Sequence, residues 1–174
     1  SGIIAQLSAT LRTGIHQYTF PKGNRQRIYL DIDHSAPKGS WNRRIIQSQI
    51  HIINPTTIEG WRIITGWAKL RRVYFHIELS KPITSHILID GGRQEMNATL
   101  INGSELKAFF DFDHQDDSPI TCKVSLSNTS IENARDNMRT EANSWDFEHY
   151  KNEADNTWEQ HLGRIEVSGS QKNM

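Results

Sequence analysis

The chain has 174 residues, with 20 Lys and Arg residues, 20 Asp and Glu residues and a formal net charge of zero. A chain of this length can bury the core of one domain, but it is too short for two domains of ordinary size. Because the charges balance, the sequence predicts neither a nucleic-acid partner nor an anionic membrane surface. The apolar runs are too short for a membrane span, and no basic and apolar leader opens the sequence.

Residues 3–126 alternate between apolar and polar side chains in short segments. Between positions 72 and 80, for example, the odd positions from Val73 to Leu79 are apolar, which is typical of a strand with one buried face. Turn residues separate the segments, and no helical pattern lies between them, so we predict an antiparallel β-sandwich. The pattern predicts nine strands, at 3–10, 14–20, 27–31, 45–53, 58–67, 72–80, 83–89, 106–112 and 122–126.

The spacing becomes helical after Leu126. Thr129 and Glu132 have the spacing of a capping box and predict a first helix from about Ser130 to Arg139. Asp146 can cap a second, longer helix. Its apolar residues form one stripe that has to be buried, either by the sandwich or by a following domain; they are Phe147, Tyr150, Ala154, Trp158, Leu162 and Ile165.

Catalytic chemistry is not visible in the motifs. The acidic run 111–117 invites a calcium site, but it lacks the glycine and glutamate of an EF-hand loop, so a solvated hairpin tip is the favoured interpretation. The histidines do not form a zinc motif, and the sequence has no nucleophile elbow, phosphate loop or dinucleotide fingerprint. The single cysteine, Cys122, excludes an internal disulfide and is expected to be a small apolar strand residue.

Two tryptophans are the best candidates for ligand contacts. Trp61 and Trp67 are six positions apart, which places both on one face of a regular strand. With Arg62 and Lys69 nearby, they can stack on a sugar ring and bind its hydroxyl groups. Packing in a core or an interface is the alternative explanation for either tryptophan.

Several stretches together resemble the amino-terminal domain of glycoside hydrolase family 92, which comprises calcium-dependent, exo-acting α-mannosidases common in gut Bacteroidetes. They are LSATLRTGIHQYTFP, GWAKLRRVYFHIELSKPI, CKVSLSNTSIENARDNM and WDFEHYKNEADNTWEQHLGRIEV. The resemblance implies a mainly β protein: a mutarotase-like supersandwich followed by two linker helices and then an (α/α)6 catalytic barrel. On this basis we expect a sandwich domain at 1–128, without its first strands, and linker helices at 129–174.

The resemblance also implies an inverting α-mannosidase, with α-1,2 linkages as the expected target. In that family the acid, the base and the calcium ligands belong to the barrel, so no catalytic or metal-binding residue is assigned here and no cofactor is expected in this chain. Trp67, Trp61, Arg62 and Lys69 are the candidate substrate contacts.

The expected partners are mannose-containing glycans and the enzyme's own catalytic domain. The expected location is the periplasm, surface or exterior of a bacterium. A free-standing carbohydrate-binding module and a purely structural domain remain the alternatives.

Overall fold

The structure is a computed structural model that describes residues 2–34, 44–66, 68–165 and 168. Within these ranges the chain forms a mainly β domain followed by two helices. The strands are β1 (Ile4–Ala9), β2 (Thr13–Thr19), β3 (Arg27–Asp31), β4 (Arg44–Asn54), β5 (Thr57–Thr65), β6 (Arg71–Leu79), β7 (Ser85–Asp90), β8 (Arg93–Met96), β9 (Leu100–Gly103), β10 (Leu106–Asp111) and β11 (Ile120–Ser127). The helices are α1 (Ile131–Glu141) and α2 (Phe147–Leu162).

The strands form two antiparallel sheets, which confirms the predicted sandwich followed by helices. One sheet has seven strands in the order β1-β2-β11-β6-β5-β4-β9, and the other has four in the order β3-β10-β7-β8. The helices pack on the outer face of the seven-stranded sheet, where they contact β1, β2, β5, β6 and β11. Among the described helices, none is long and apolar enough to cross a membrane.

The main core lies between the two sheets. Phe75 and Ile77 from one sheet pack in the same buried cluster as Leu88 and Phe110 from the other. A Cβ atom on Gly60 would lie 2.1 Å from the carbonyl oxygen of Gln49 and 2.4 Å from the ring of Phe75. Glycine is therefore required where the Phe75 ring crosses β5. Cys122 lies in strand β11, as predicted; it is buried in this core, and burial raises the pKa of its thiol to about 12.

The sequence pattern missed two strands, β8 and β9. In β8 the residues 93–96 are mostly polar and exposed, so they show no alternation. In β9 the residues Asn102 and Gly103 are of types common in turns, but they pair with Gln49 and Ser48 of β4. The predicted strand 58–67 ends at Thr65. Position 67 lies outside the described residues.

Both helices begin close to the predicted positions. Ser130 is the N-cap of α1, and its hydroxyl accepts a hydrogen bond from the backbone N–H of Asn133 at 3.1 Å. This cap lies one residue after the predicted Thr129, whose hydroxyl accepts from the side chain of Asn133. Asp146 caps α2, as predicted, by accepting from the backbone N–H of Glu148.

The apolar stripe of α2 is buried only at its beginning. Phe147 and Tyr150 form a second buried cluster with Ile15 of β2 and with Met138 and Ala142. The hydroxyl of Ser8 donates to the carbonyl of Tyr150 at 3.0 Å and fixes this part of α2 to β1. Because β1 is the edge strand of the sheet, the later part of the stripe finds no cover in the described chain: Trp158 and Leu162 are each 65% exposed.

Candidate functional site

A cleft of about 660 Å³ opens at one end of the sandwich, between the seven-stranded sheet and the start of α1. Gly14, Val73 and Val124 contribute apolar surface from three neighbouring strands. Polar lining comes from the strand end and from α1, through Arg71, Asn128, Thr129, Asn133 and Asn137. Apolar surface with a few convergent polar groups is typical of small-molecule sites, and the volume lies in their usual range of about 300 to 1,000 Å³.

The helix side of the cleft is fixed by local hydrogen bonds. The side-chain amide of Asn137 donates to the carbonyl of Leu126 at 2.9 Å, and that of Asn133 donates to the hydroxyl of Thr129 at 2.6 Å. Asn133 and Asn137 are four residues apart and so share one face of α1. These contacts hold two amide side chains beside the end of β11.

The turn between β1 and β2, which also lines the cleft, is attached to the other end of α1. Glu141 accepts hydrogen bonds from the hydroxyl of Thr10 at 2.6 Å and from the backbone N–H of Arg12 at 2.8 Å, and it pairs with the Arg12 guanidinium. Burial of Glu141 opposes ionisation, but these bonds outweigh it and lower the pKa of the carboxyl. The cleft is therefore held by contacts at both ends of α1.

The structure places the predicted ligand contacts on different faces. Trp61 lies opposite Tyr74 and Gln49, on the outer face of the seven-stranded sheet. Arg62 lies on the inner face, opposite Val73, which lines the cleft. Its guanidinium donates to the carbonyls of Ile32 and His34 at 3.0 and 2.9 Å. Strand alternation thus separates Trp61 from Arg62.

The other two candidates follow the end of β5. Lys69 is exposed in the β5–β6 connection, two residues before Arg71 of the cleft. Trp67 lies outside the described residues. The four candidates remain predicted substrate contacts. Arg62 pairs with Val73 of the cleft lining, and Lys69 is close in sequence to Arg71 of the same lining.

Sequence reasoning missed a group of charged and titratable side chains beneath α1, which we call the ionic layer. It consists of buried Glu59, His76 and Lys123 and of partly exposed Glu78 and Arg135. His76 is 4% exposed, and its Nδ1 lies 2.8 Å from Glu59 Oε1. The guanidinium of Arg135 donates to the same oxygen from Nε and Nη2, at 3.0 and 2.8 Å. Sheet and helix are therefore joined through the Glu59 carboxylate.

The second half of the ionic layer reaches the end of α1. Nζ of Lys123 lies 3.1 Å from Glu78 Oε2 and donates to the carbonyl of Ala142 at 2.9 Å. The same ammonium lies 3.8 Å from the centre of the Trp145 ring. The hydrogen bond from His76, followed by the hydrogen bond and charge of Lys123, lowers the pKa of Glu78 to about 2. Glu78 is therefore ionised throughout the neutral range.

The acidic run 111–117 does not form a metal site. Asp111 belongs to β10, where Arg25 and Arg27 each form two hydrogen bonds to its carboxylate. Asp116 pairs with Lys81, and Asp117 pairs with Lys22. Among residues 2–34, 44–66 and 68–165, no group of three or more His, Cys, Asp or Glu side chains could hold a metal ion. The described residues therefore do not fit a calcium ion.

Two family matches together cover all of the chain except residues 128–132. Residues 1–127 match the glycosyl hydrolase family 92 N-terminal domain, and residues 133–174 match the glycosyl hydrolase family 92 catalytic domain. The short gap between the two matches includes the start of α1, and the cleft beside it is lined by residues from both. No curated protein is similar enough in sequence to count as a relative.

The fold is similar to parts of three solved structures. Against the family GH92 α-mannosidase BT3965 from Bacteroides thetaiotaomicron, the TM-score is 0.85 with 24% identity over 97% of this chain and 23% of that one. For the GH92 family glycosyl hydrolase ccman5, the TM-score is 0.82 with 24% identity over 97% and 22%. For the family GH92 inverting mannosidase BT2199 from Bacteroides thetaiotaomicron VPI-5482, it is 0.82 with 23% identity over 98% and 22%.

The chain thus spans less than a quarter of the length of the solved structures it resembles. These likenesses establish the shared sandwich-and-helix fold, and the family model for residues 1–127 covers well over half of the sequence. The chain belongs to glycosyl hydrolase family 92.

Proposed function

We propose that this chain forms the sandwich and the first helices of an exo-acting α-mannosidase. The family match supports a glycoside hydrolase, and two of the similar structures are described as mannosidases. BT3965 has also been solved in complex with mannoimidazole. The substrate class is therefore mannose-containing glycans.

One observation carries the role that we assign to this segment. The cleft lies where the match to the N-terminal domain gives way to the match to the catalytic domain, and it takes lining residues from both. Ligand sites occur preferentially at such domain boundaries. In this proposal the strand ends and the β5–β6 connection, with Trp67, Arg62 and Lys69, form one wall of the substrate pocket.

Inversion, calcium dependence and α-1,2 specificity belong to the same proposal. An inverting glycosidase uses a general acid and a general base about 6.5 to 9.5 Å apart, which leaves room for the attacking water. We assign neither role to a residue of this chain. Calcium would help to hold and distort the sugar, and by family resemblance we assign its ligands to the catalytic domain.

The exposed part of α2 supports contact with further helices of that domain. Trp158 and Leu162 lie within the match to the catalytic domain and carry the uncovered half of the apolar stripe. A tryptophan and a leucine at this spacing are typical of a helix that packs against another helix. We expect the enzyme's own catalytic domain to cover them, in the periplasm, at the surface or outside a bacterial cell.

The proposed pocket role is tested with Trp67→Ala in the intact enzyme. Loss of an aromatic sugar contact should lower kcat/KM on an aryl α-mannoside by an equivalent of about 1 to 3 kcal/mol, with an unchanged melting temperature. Tyr29→Ala serves as a matched control, because Tyr29 is an exposed aromatic that stacks on Phe109 in the other sheet. Unchanged kinetics with a lowered melting temperature would make Trp67 a packing residue instead.

A second assay separates the main proposal from its alternatives. We expect the 174-residue chain alone to release no mannose from an aryl α-mannoside in the presence of calcium. Calcium-dependent turnover above that of a boiled sample would contradict the assignment of the acid and the base to the rest of the enzyme. Measurable affinity of this inactive chain for mannosides would favour a carbohydrate-binding module. A purely structural role would be favoured if the chain has no such affinity and if Trp67→Ala leaves the KM of the intact enzyme unchanged.

A further inference from the structure

Both ring nitrogens of His76 face carboxylate oxygens. Nδ1 lies 2.8 Å from Glu59 Oε1, and Nε2 lies 3.3 Å from Glu78 Oε1. An ionised carboxylate only accepts hydrogen bonds, so each ring nitrogen has to donate, and only the imidazolium form of histidine carries a proton on both nitrogens. The geometry therefore requires a positively charged ring for both contacts to exist at once.

Each of these carboxylates is also bound to a cation that reaches the helices. Glu59 is shared with Arg135 on α1. Glu78 is shared with Lys123, which holds the carbonyl of Ala142 at the end of α1. His76 thus lies between two of the charge contacts that attach α1 to the sheet, one near the middle of α1 and one at its C-terminal end.

We propose that His76 is a proton-dependent link in this fold: its imidazolium holds the ionic layer together, and loss of the proton loosens α1 and residues 142–146 from the sheet. The groups that face it are Glu59 of β5, Glu78 of its own strand, Lys123 of β11 and Arg135 of α1, with His51 of β4 opposite Glu59. These contacts lie within the described residues and do not depend on whether the intact protein is a mannosidase.

The direction of the effect follows from hydrogen bonding. A neutral ring would direct a lone pair at one of the two carboxylates, and the longer contact, to Glu78, is the one expected to break. Glu78 would then have only Lys123 as a buried partner. The position from which Lys123 donates its hydrogen bond to the carbonyl of Ala142 would no longer be fixed. The interface should therefore weaken when the ring of His76 loses its second proton, and α1 should open more often.

The test combines two measurements on the 174-residue chain. Nitrogen-15 NMR of the imidazole rings should show both nitrogens of His76 protonated at about pH 6, because both face carboxylate oxygens. Hydrogen exchange, corrected for the intrinsic rate, should show that protection of the α1 amides falls about tenfold or more between about pH 6 and pH 9, while protection of the β10 amides does not.

Variants assign the effect to His76. In His76→Gln the pH dependence of α1 protection should disappear, whereas in His114→Gln, which changes an exposed loop histidine, it should persist. Glu78→Gln should move the loss of protection to lower pH, because a neutral acceptor stabilises the imidazolium less. If His76→Gln does not fold, the wild-type spectra still decide the question. A singly protonated His76 ring at about pH 6, or α1 protection independent of pH, would overturn the proposal.

Discussion

The two faces of the seven-stranded sheet are both covered, but by different kinds of chemistry. The inner face buries apolar side chains such as Phe75 and Ile77 against the four-stranded sheet. The outer face buries one small apolar cluster and, beside it, the ionic layer beneath α1. Burial of apolar side chains stabilises the fold in almost any arrangement. The attraction between paired charges offsets the free-energy cost of their desolvation only in a defined geometry. We infer that the inner face supplies stability and the outer face fixes the position of the helices.

The largest effect is expected on the inner face. Phe110 is almost fully buried, and Phe110→Ala should lower the free energy of unfolding by about 3 to 5 kcal/mol, because it removes the ring and leaves a cavity. Phe109→Ala is the matched control, since Phe109 is the next residue on the same strand and is only half-buried on the outer side. Urea unfolding measures both. Equal losses would mean that the core does not lie between the sheets.

A slightly smaller effect is expected where α2 meets the sheet. Phe147→Ala should cost about 3 kcal/mol, because Phe147 is buried in the cluster around Ile15. Trp158→Ala should change stability by less than about 0.5 kcal/mol, because its ring is 65% exposed. Thermal unfolding of the two variants compares the ends of one stripe. A large loss for Trp158→Ala in the 174-residue chain would show that the sandwich covers the whole stripe.

Acid should weaken the outer face. Because the folded-state pKa of Glu78 is lowered from 4.5 to about 2, its contribution is fully present above about pH 4.5 and is lost as the pH falls towards 2. The melting temperature of the wild type should therefore fall more steeply over this window than that of Glu78→Gln. Parallel curves for the two proteins would indicate that Glu78 is solvated and makes no net contribution.

The sequence predicted most of the fold because strand alternation and helix caps are local signals. The segment 72–80 was correctly interpreted as a strand with Phe75 and Ile77 inside. Strand β8 was missed because its polar residues carry no alternation, and β9 was missed because its asparagine and glycine are typical of turns.

The candidate site was less predictable than the fold. The spacing of Trp61 and Trp67 depends on a strand that continues through both positions, but β5 ends at Thr65. The ionic layer was invisible in the sequence because His76 is polar at a position where a solvent-facing residue is expected. Only the strand order, which places Glu59 and Lys123 on either side of it, and the position of α1 show that this face is buried. Such contacts are set by topology and cannot be derived from local spacing.

The most direct test of the account is a double-mutant cycle on Glu59 and Arg135. Glu59→Gln, Arg135→Gln and the double variant should give a coupling free energy between about 0.5 and 3 kcal/mol, because the two side chains meet beneath α1 through two hydrogen bonds. The same cycle on Glu148 and Lys151, an exposed pair on α2, should give no more than about 0.5 kcal/mol. Urea unfolding at neutral pH supplies the four free energies. A coupling for Glu59 and Arg135 as small as that of the exposed pair would contradict the claim that buried charges fix the helices on the sheet.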